Sequence, residues 1–251
     1  MATIGLNLFS LRDLCQTFEE FSATLEQVAK IGYPSVQVSG IPAYDPALIR
    51  QVLDANNLTA CACHESLEIL RQDRISILDK LTTLGAGFTA LGAPPPELRS
   101  PEQFPQLIFE LDGYAKEFAT HGIQFGYHNH AFEFQMLNDK SIYEVIFLEG
   151  SHLYAEPDTH WIQRGGGDPA LWIEKLKGRV PAVHLKDYIW RDDGPQFAEV
   201  GYGNLNWDRI FEACSKSGVE YYIVEQDQPT PGVPILASVA RSFEYVSKRL
   251  G

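Results

Sequence analysis

No apolar run in this 251-residue chain approaches the roughly 20 residues that cross a bilayer, so no membrane span is expected. The opening Met1-Ala2-Thr3 has no basic segment followed by an apolar stretch, so no secretory leader is expected either. Basic residues are scarce. Lys and Arg number 20 against 33 Asp and Glu, a formal net charge of -13. That balance argues against a nucleic-acid partner, because a phosphate backbone is held mainly by Lys and Arg. Cysteine is limited to Cys15, Cys61, Cys63 and Cys214. Cys61 and Cys63 are expected to share one face of a strand, and no further Cys or His at zinc spacing accompanies them. Reduced, buried thiols of a cytoplasmic protein are the expectation. No linker or low-complexity stretch divides the chain, so residues 1–251 read as one domain. No glycine-rich phosphate turn follows Phe9, which weighs against an open doubly wound sheet and against a phosphorylated substrate.

What is present is a regular alternation. Short apolar, β-branched runs are expected as strands at Ile4–Phe9, Ser35–Ser39, Thr59–His64, Phe88–Gly92, Gln124–His128, Leu153–Glu156, Ala182–Lys186 and Tyr221–Glu225. Amphipathic runs follow them at Phe18–Ile31, Pro46–Asn56, Arg71–Leu84, Pro101–Thr120, Ser141–Leu148, Pro169–Leu176, Trp207–Ser217 and Pro234–Leu250. Phe21, Leu25, Val28 and Ala29 are spaced to share one helix face. Several helices end at glycine, where the chain can turn left-handed before the next strand. Strand followed by helix, eight times over, implies parallel strands joined by crossovers, and eight is the number that closes into a (β/α)8 barrel. The fold expected is α/β, a single TIM barrel.

Barrel sites are built from the C-terminal ends of the strands and the loops that follow. Polar residues gather there: His64-Glu65 after strand three, His128-Asn129-His130 and Glu133 after strand five, and Glu156-Pro157-Asp158-Thr159-His160 after strand six. His184-Leu185-Lys186-Asp187 ends strand seven, and Glu225-Gln226-Asp227 ends strand eight. His121 and His152 precede strands and are expected at the surface. Each acid or imidazole taken alone could make an ordinary loop hydrogen bond. Together, from neighbouring strands, they suit a divalent ion with mixed oxygen and nitrogen ligands.

Particular stretches carry a likeness. They are Ile4-Gly5-Leu6-Asn7-Leu8-Phe9-Ser10-Leu11-Arg12-Asp13, Gly126-Tyr127-His128-Asn129-His130-Ala131-Phe132-Glu133-Phe134, and Val183-His184-Leu185-Lys186-Asp187. Val200-Gly201-Tyr202-Gly203-Asn204-Leu205-Asn206-Trp207 and Glu220-Tyr221-Tyr222-Ile223-Val224-Glu225-Gln226-Asp227 complete the set. In this order the chain resembles the xylose-isomerase-like barrel superfamily, most closely its sugar phosphate isomerase/epimerase branch. The resemblance implies one metal ion held by a strand-five acid with Asp158, His184 and Glu225. Ketose epimerases of the superfamily carry Glu where this chain has His128. Glu133, just beyond, is therefore the first choice for the fourth ligand and His128 the alternative. Mn²⁺ is the ion expected, with Mg²⁺, Co²⁺, Fe²⁺ or Zn²⁺ as alternatives. Multi-metal relatives often place His three residues after the strand-six Asp. Trp161 stands there instead, so a three-metal nuclease site is not expected. His160, one residue earlier, is either this branch's own variation or a plain loop residue.

The activity implied is isomerisation or epimerisation of a keto-sugar or related polyol. A Lewis-acidic ion polarises the carbonyl and a base removes the neighbouring proton to give an enediolate. Glu133, Glu225, His128 and His130 are the candidates for that acid–base work, and Lys186, His64, Asn129 and Trp161 for binding substrate. Trp190, Tyr127 and Phe9 are further candidates for pocket walls. Loss of a leaving group from the same intermediate would make the chain a dehydratase or lyase on a keto-inositol or 3-keto-glycoside. A non-catalytic sugar-binding barrel is the third reading. The partner expected is a small sugar-like molecule, with neither nucleic acid nor membrane. A homo-oligomer is left open.

Overall fold

The structure, a computed structural model, describes residues 2–149 and 152–251, so Met1 of the opening segment lies outside them. Its frame is eight parallel strands: β1 (Thr3–Asn7), β2 (Ser35–Val38), β3 (Thr59–Glu65), β4 (Phe88–Leu91), β5 (Gln124–His128), β6 (Tyr154–Glu156), β7 (Ala182–Leu185) and β8 (Tyr221–Val224). From β1 the sheet runs through β2 to β6 on one side and through β8 to β7 on the other. Asp158 bridges His184 where β6 meets β7, with the His184 N–H donating to the Pro157 carbonyl at 2.9 Å, and the barrel closes there. Helices α1 (Phe18–Ile31), α2 (Pro46–Ala55), α3 (Leu67–Gln72), α4 (Arg74–Leu84), α5 (Phe104–Ala119), α6 (Ile142–Glu149), α7 (Thr159–Arg164), α8 (Pro169–Lys175), α9 (Trp207–Ser217) and α10 (Ile235–Leu250) accompany the strands. Among the described residues no helix is long and apolar enough to cross a membrane.

Helix α1 shows how the local sequence sets an element. Thr17 and Glu20 form a reciprocal capping box at its start, satisfying two otherwise orphaned N–H groups. Phe21, Leu25 and Val28 are fully buried and Ala29 packs against them half-buried. Each of the larger side chains contributes about 1.5–3 kcal/mol by leaving water. Gly32, at φ +113°, ends the helix in a conformation that a β-carbon would strain.

Three expectations need correction. The helix expected over Arg71–Leu84 is two, because Asp73 breaks it with extended backbone and caps α4 by accepting from the Ser76 N–H at 3.0 Å. Strand β1 stops at Asn7, whose side chain accepts from the Phe9 N–H and starts a 3-10 turn over Leu8–Leu14. Cys61 and Cys63 do not share a face. Between Val36 and Gln37 the β2–β3 register jumps from Ala60 to Ala62, so Cys61 is an extra residue. This bulge inverts the alternation beyond it. Cys61 and Ala62 both join the inner cluster with Phe88, Ala90, Ala182 and Ile223, while Cys63 joins the outer core. His64 thereby turns inward. All four thiols are free and buried. The hairpins Met136–Leu137 with Lys140–Ser141 and Asp187–Arg191 with Gly194–Ala198, and helix α7, were not anticipated.

The barrel interior is thus layered. Its lower part holds the small and apolar side chains of the inner cluster. One pleat higher come Gln37, His64, His128, Glu156 and His184, two residues beyond Ser35, Ala62, Gly126, Tyr154 and Ala182 respectively. The period of two along each strand lifts every one of them to the same level at the C-terminal rim.

Candidate metal centre

At this rim the side chains meet in two groups that share His128 and His184. In one, His64, His128, Glu156 and His184 present ligand atoms within 4.8 Å of one another; in the other, His128, Asp158, His184 and Glu225 do the same. Glu156 accepts from the Gln37 amide at 2.7 Å on Oε1 and pairs with His64 Nε2 at 2.5 Å on Oε2. His184 Nε2 pairs with Gln37 Oε1 at 2.7 Å and lies 3.3 Å from Glu156, while its Nδ1 lies 2.6 Å from Glu225 Oε2. One ring therefore joins the two groups. Lys186 Nζ stands 3.0 Å from Asp158, 3.2 Å from Glu225 and 3.1 Å from Asp227.

The charges follow from burial set against these partners. Burial alone would lower His184, but Glu156 and Glu225 outweigh it and hold the imidazolium up at about 10. Burial likewise opposes the Lys186 charge, which Asp158, Glu225 and Asp227 hold above the ordinary lysine value. Burial would raise both glutamates. His184 and His64 keep Glu156 well below the usual range, and Lys186 and His184 do the same for Glu225. Asp158 is pushed up to about 6 by burial that Lys186 only partly offsets. His128 is held well below its ordinary value by burial and by the charge on His184, and burial with Lys186 pushes His130 down to about 3. Both are neutral at pH 7.

Above these groups a cavity of about 450 Å³ opens, lined in part by His64, His128, His130, Trp161, Lys186 and Glu225. Phe9 forms another wall, lying against Gly40, where a β-carbon would come within 2.5 Å of its ring. Asp158 is fixed from two sides: its N–H donates to the Asn129 side chain and its Oδ1 accepts from the Trp161 N–H, each at 3.0 Å.

Of the expected metal set, the structure brings Asp158, His184 and Glu225 together, with His128 as the fourth member. Glu133 is elsewhere. Its buried carboxylate accepts from the Tyr127 hydroxyl at 2.7 Å and the His130 N–H at 2.8 Å, which pins the strand-five loop and turns the group away from both clusters. Asn129 is buried and spent on the Asp158 backbone rather than on the cavity. Trp190 is 69% exposed on the hairpin after β7, and Tyr127 is buried in the core, so neither walls the cavity. His160, on α7, stacks on Phe197 with its Nδ1 at the Asp187 carbonyl. Asp187 holds the following loop, accepting from Gly201, Gly203 and the Trp207 indole. His121 and His152 are exposed. From sequence Glu156 was named among the polar residues at the strand-six end but given no role, and Gln37 was not named. The signal was there for Glu156, two residues before Asp158 and at the end of its strand.

Comparison with known proteins bears on the fold and the family. Among curated protein sequences none matches. A sugar phosphate isomerase/epimerase from Parabacteroides distasonis ATCC 8503 superposes with a TM-score of 0.81 at 22% identity, covering 99% of this chain and 98% of that one. A xylose isomerase-like TIM barrel protein from Mycobacterium smegmatis, in complex with magnesium, gives 0.77 at 15% identity over 100% and 97%. An L-ribulose 3-epimerase gives 0.73 at 16% identity over 100% and 95%. These likenesses establish the fold, and a family model matches residues 25–246: the chain belongs to the xylose isomerase-like TIM barrel family.

Proposed function

We propose that the chain is a divalent-metal-dependent isomerase or epimerase acting on a keto-sugar. The observation that carries this reading is the convergence of His128, Asp158, His184 and Glu225, from four successive strand ends, beside an open cavity with a buried lysine. Two nitrogen and two oxygen donors suit Mn²⁺ and its neighbours. The site also has an atom wanting a partner, since His128 Nδ1 is buried without a hydrogen bond, while Asp158 Oδ2 meets only the Lys186 ammonium at 3.0 Å. His128 takes the strand-five place in this reading, not Glu133. A bound ion would polarise a substrate carbonyl and so acidify the adjacent C–H.

The chain's own residues supply the rest. Glu225 is ionised, lines the cavity and is the carboxylate positioned to take the proton beside the carbonyl. Lys186, charged and lining the same cavity, can stabilise the negative oxygen that develops. His130 is neutral, and its Nδ1 has no partner. It can accept a hydroxyl proton on one nitrogen and release one from the other, which is what exchange between neighbouring oxygens requires. Trp161 and Phe9 offer aromatic faces to a ring. A proton delivered to the same carbon from the other face, by a second group such as His130, would give an epimer, and return of the Glu225 proton to the neighbouring carbon an isomer. The test is to incubate D-fructose, D-tagatose and L-ribulose with the Mn²⁺-loaded protein in D₂O and read them by NMR. Deuterium next to the carbonyl, abolished by chelator, is the expected result. An elimination product would transfer the site to the lyase reading, and inert sugars with no bound metal would leave a binding barrel.

A further inference from the structure

A second cavity, of about 300 Å³, abuts the first, and Ser39, Gly40, His64 and Glu65 form part of both walls. Its other walls come from the loop after β2, with Ile41 and Tyr44, and from Ile69 on α3 and Ile77 and Lys80 on α4. None of these is a metal donor or takes part in the proton transfers above. The bulge in β3 matters again here. With His64 turned into the barrel, Glu65 is turned towards α4, where it pairs with Lys80 Nζ at 2.6 Å and accepts from the Thr89 hydroxyl at 3.4 Å. Glu65 is only 7% exposed and the Lys80 side chain 24%, so the carboxylate is largely withdrawn from water while the pair still borders open space. Withdrawing charges in this way is costly unless their remaining hydrogen-bonding capacity is used. Ile69, at the rim, is 40% exposed.

We propose that this cavity is a second sugar subsite, so that the substrate is a two-unit sugar. The keto unit lies at the metal centre and the second ring lies between Ile69 and the Glu65–Lys80 pair. The proposal rests on the functional reading above for the placement of the keto unit. Aliphatic and aromatic walls suit the C–H faces of a ring, while adjacent carboxylate and ammonium suit its hydroxyls, one accepting and one donating. A phosphate would meet the Glu65 carboxylate, and a purely apolar group would leave the ion pair's spare hydrogen bonds unmet. Each cavity has a volume near those that hold small molecules, roughly 300–1,000 Å³.

Calorimetry on the Mn²⁺-loaded protein tests this, with D-fructose against the keto-disaccharides lactulose, maltulose and palatinose. At least one disaccharide should bind tenfold or more tightly than fructose. Ile69→Trp fills the cavity from an exposed position and should bring that disaccharide to within twofold of fructose, leaving fructose and metal binding unchanged. Ala43→Trp, exposed on the same wall, should do likewise, independently of any misfolding of the first variant. If fructose binds and no disaccharide binds more tightly, or if both variants weaken fructose and disaccharide equally, the subsite is refuted and the metal-site reading stands. If neither Mn²⁺ nor any sugar binds, the functional reading fails and the subsite falls with it.

Discussion

On one side of the His184 ring, Glu156 sits among Gln37, His64 and the ring, with no exposed surface and a hydrogen-bonding partner on each oxygen. On the other side, Asp158, Glu225 and Asp227 gather around Lys186, and all but Asp158 line an open cavity. The two sides use the same residue types to different ends. A closed and satisfied network holds geometry, because each member is fixed by the others. An open one, with carboxylates in excess, has binding capacity left over. On the reading proposed above, the difference would make the Glu156 side the one that orients His184 and the Asp158 side the one that receives the ligand. A carboxylate or amide on the far nitrogen of a metal-binding imidazole does that orienting elsewhere.

The comparison breaks most readily at the receiving side. Asp158→Asn keeps the oxygen that caps α7 but removes the charge, and Glu225→Gln does the same across the site. Each should weaken Mn²⁺ binding by about 100-fold or more, beyond the roughly 10–100-fold typical of groups behind the ligands. Titration calorimetry measures it. Unchanged affinity in both variants would mean that the ion, if bound, sits on the Glu156 side. The next effect belongs to Glu156→Gln, which should cost about 10–100-fold when measured near pH 9. Co²⁺ absorption bands should change shape in this variant, since a loosened His184 alters the ligand field. A Glu156→Gln protein that loses as much affinity as Asp158→Asn would make Glu156 a ligand.

The sign of the pH dependence follows from His184. Its proton is held up to about pH 10 between two carboxylates, and a metal ion must displace it. Apparent affinity should therefore rise with pH, by about tenfold per unit between pH 7 and 9, and level off near pH 10. An imidazole with its ordinary value would level off near 6.5. Because Glu156 is one of the two carboxylates, Glu156→Gln should move the whole rise to lower pH, which separates its effect on the proton from its effect on the metal. Flat affinity from pH 7 to 9 in the wild type would count against Nδ1 or Nε2 of His184 as a donor.

How far this site was legible in the sequence depends on what each residue needed. Asp158, His184 and Glu225 could be placed at the rim from strand ends, because a barrel exposes that rim and the strands are short, and the family resemblance picked them out there as ligands. Gln37 could not, since its role lies in a contact across the barrel to Glu156 and His184. His64 was named for its position at a strand end, yet strict alternation counted from Cys61 would have turned it outward. The bulge at Cys61 is a pairing feature of two strands and leaves no mark in either alone. Asn129 and Glu133 looked functional beside two histidines, but a loop entering a buried rim has N–H groups to satisfy, and these two side chains answer local needs first.

The smallest expected effect on metal binding sharpens that last distinction. Glu133 accepts one hydrogen bond from Tyr127 and one from the His130 backbone, and burial pushes its carboxyl up to about 7 despite both. Because this folded value lies above the ordinary 4.5, the stability linked to its bound proton is fully present below that lower value. It is lost as the pH rises towards 7, by on the order of 3 kcal/mol in all. Glu133→Gln mimics the protonated group and removes that dependence. Denaturant midpoints should then fall between pH 5 and pH 8 more steeply in the wild type than in Glu133→Gln, while Mn²⁺ affinity stays within about twofold, as for a residue outside the ligand set. A hundredfold loss of Mn²⁺ in Glu133→Gln, with stability tracking the wild type across that range, would restore Glu133 to the metal and make His128 the neighbour.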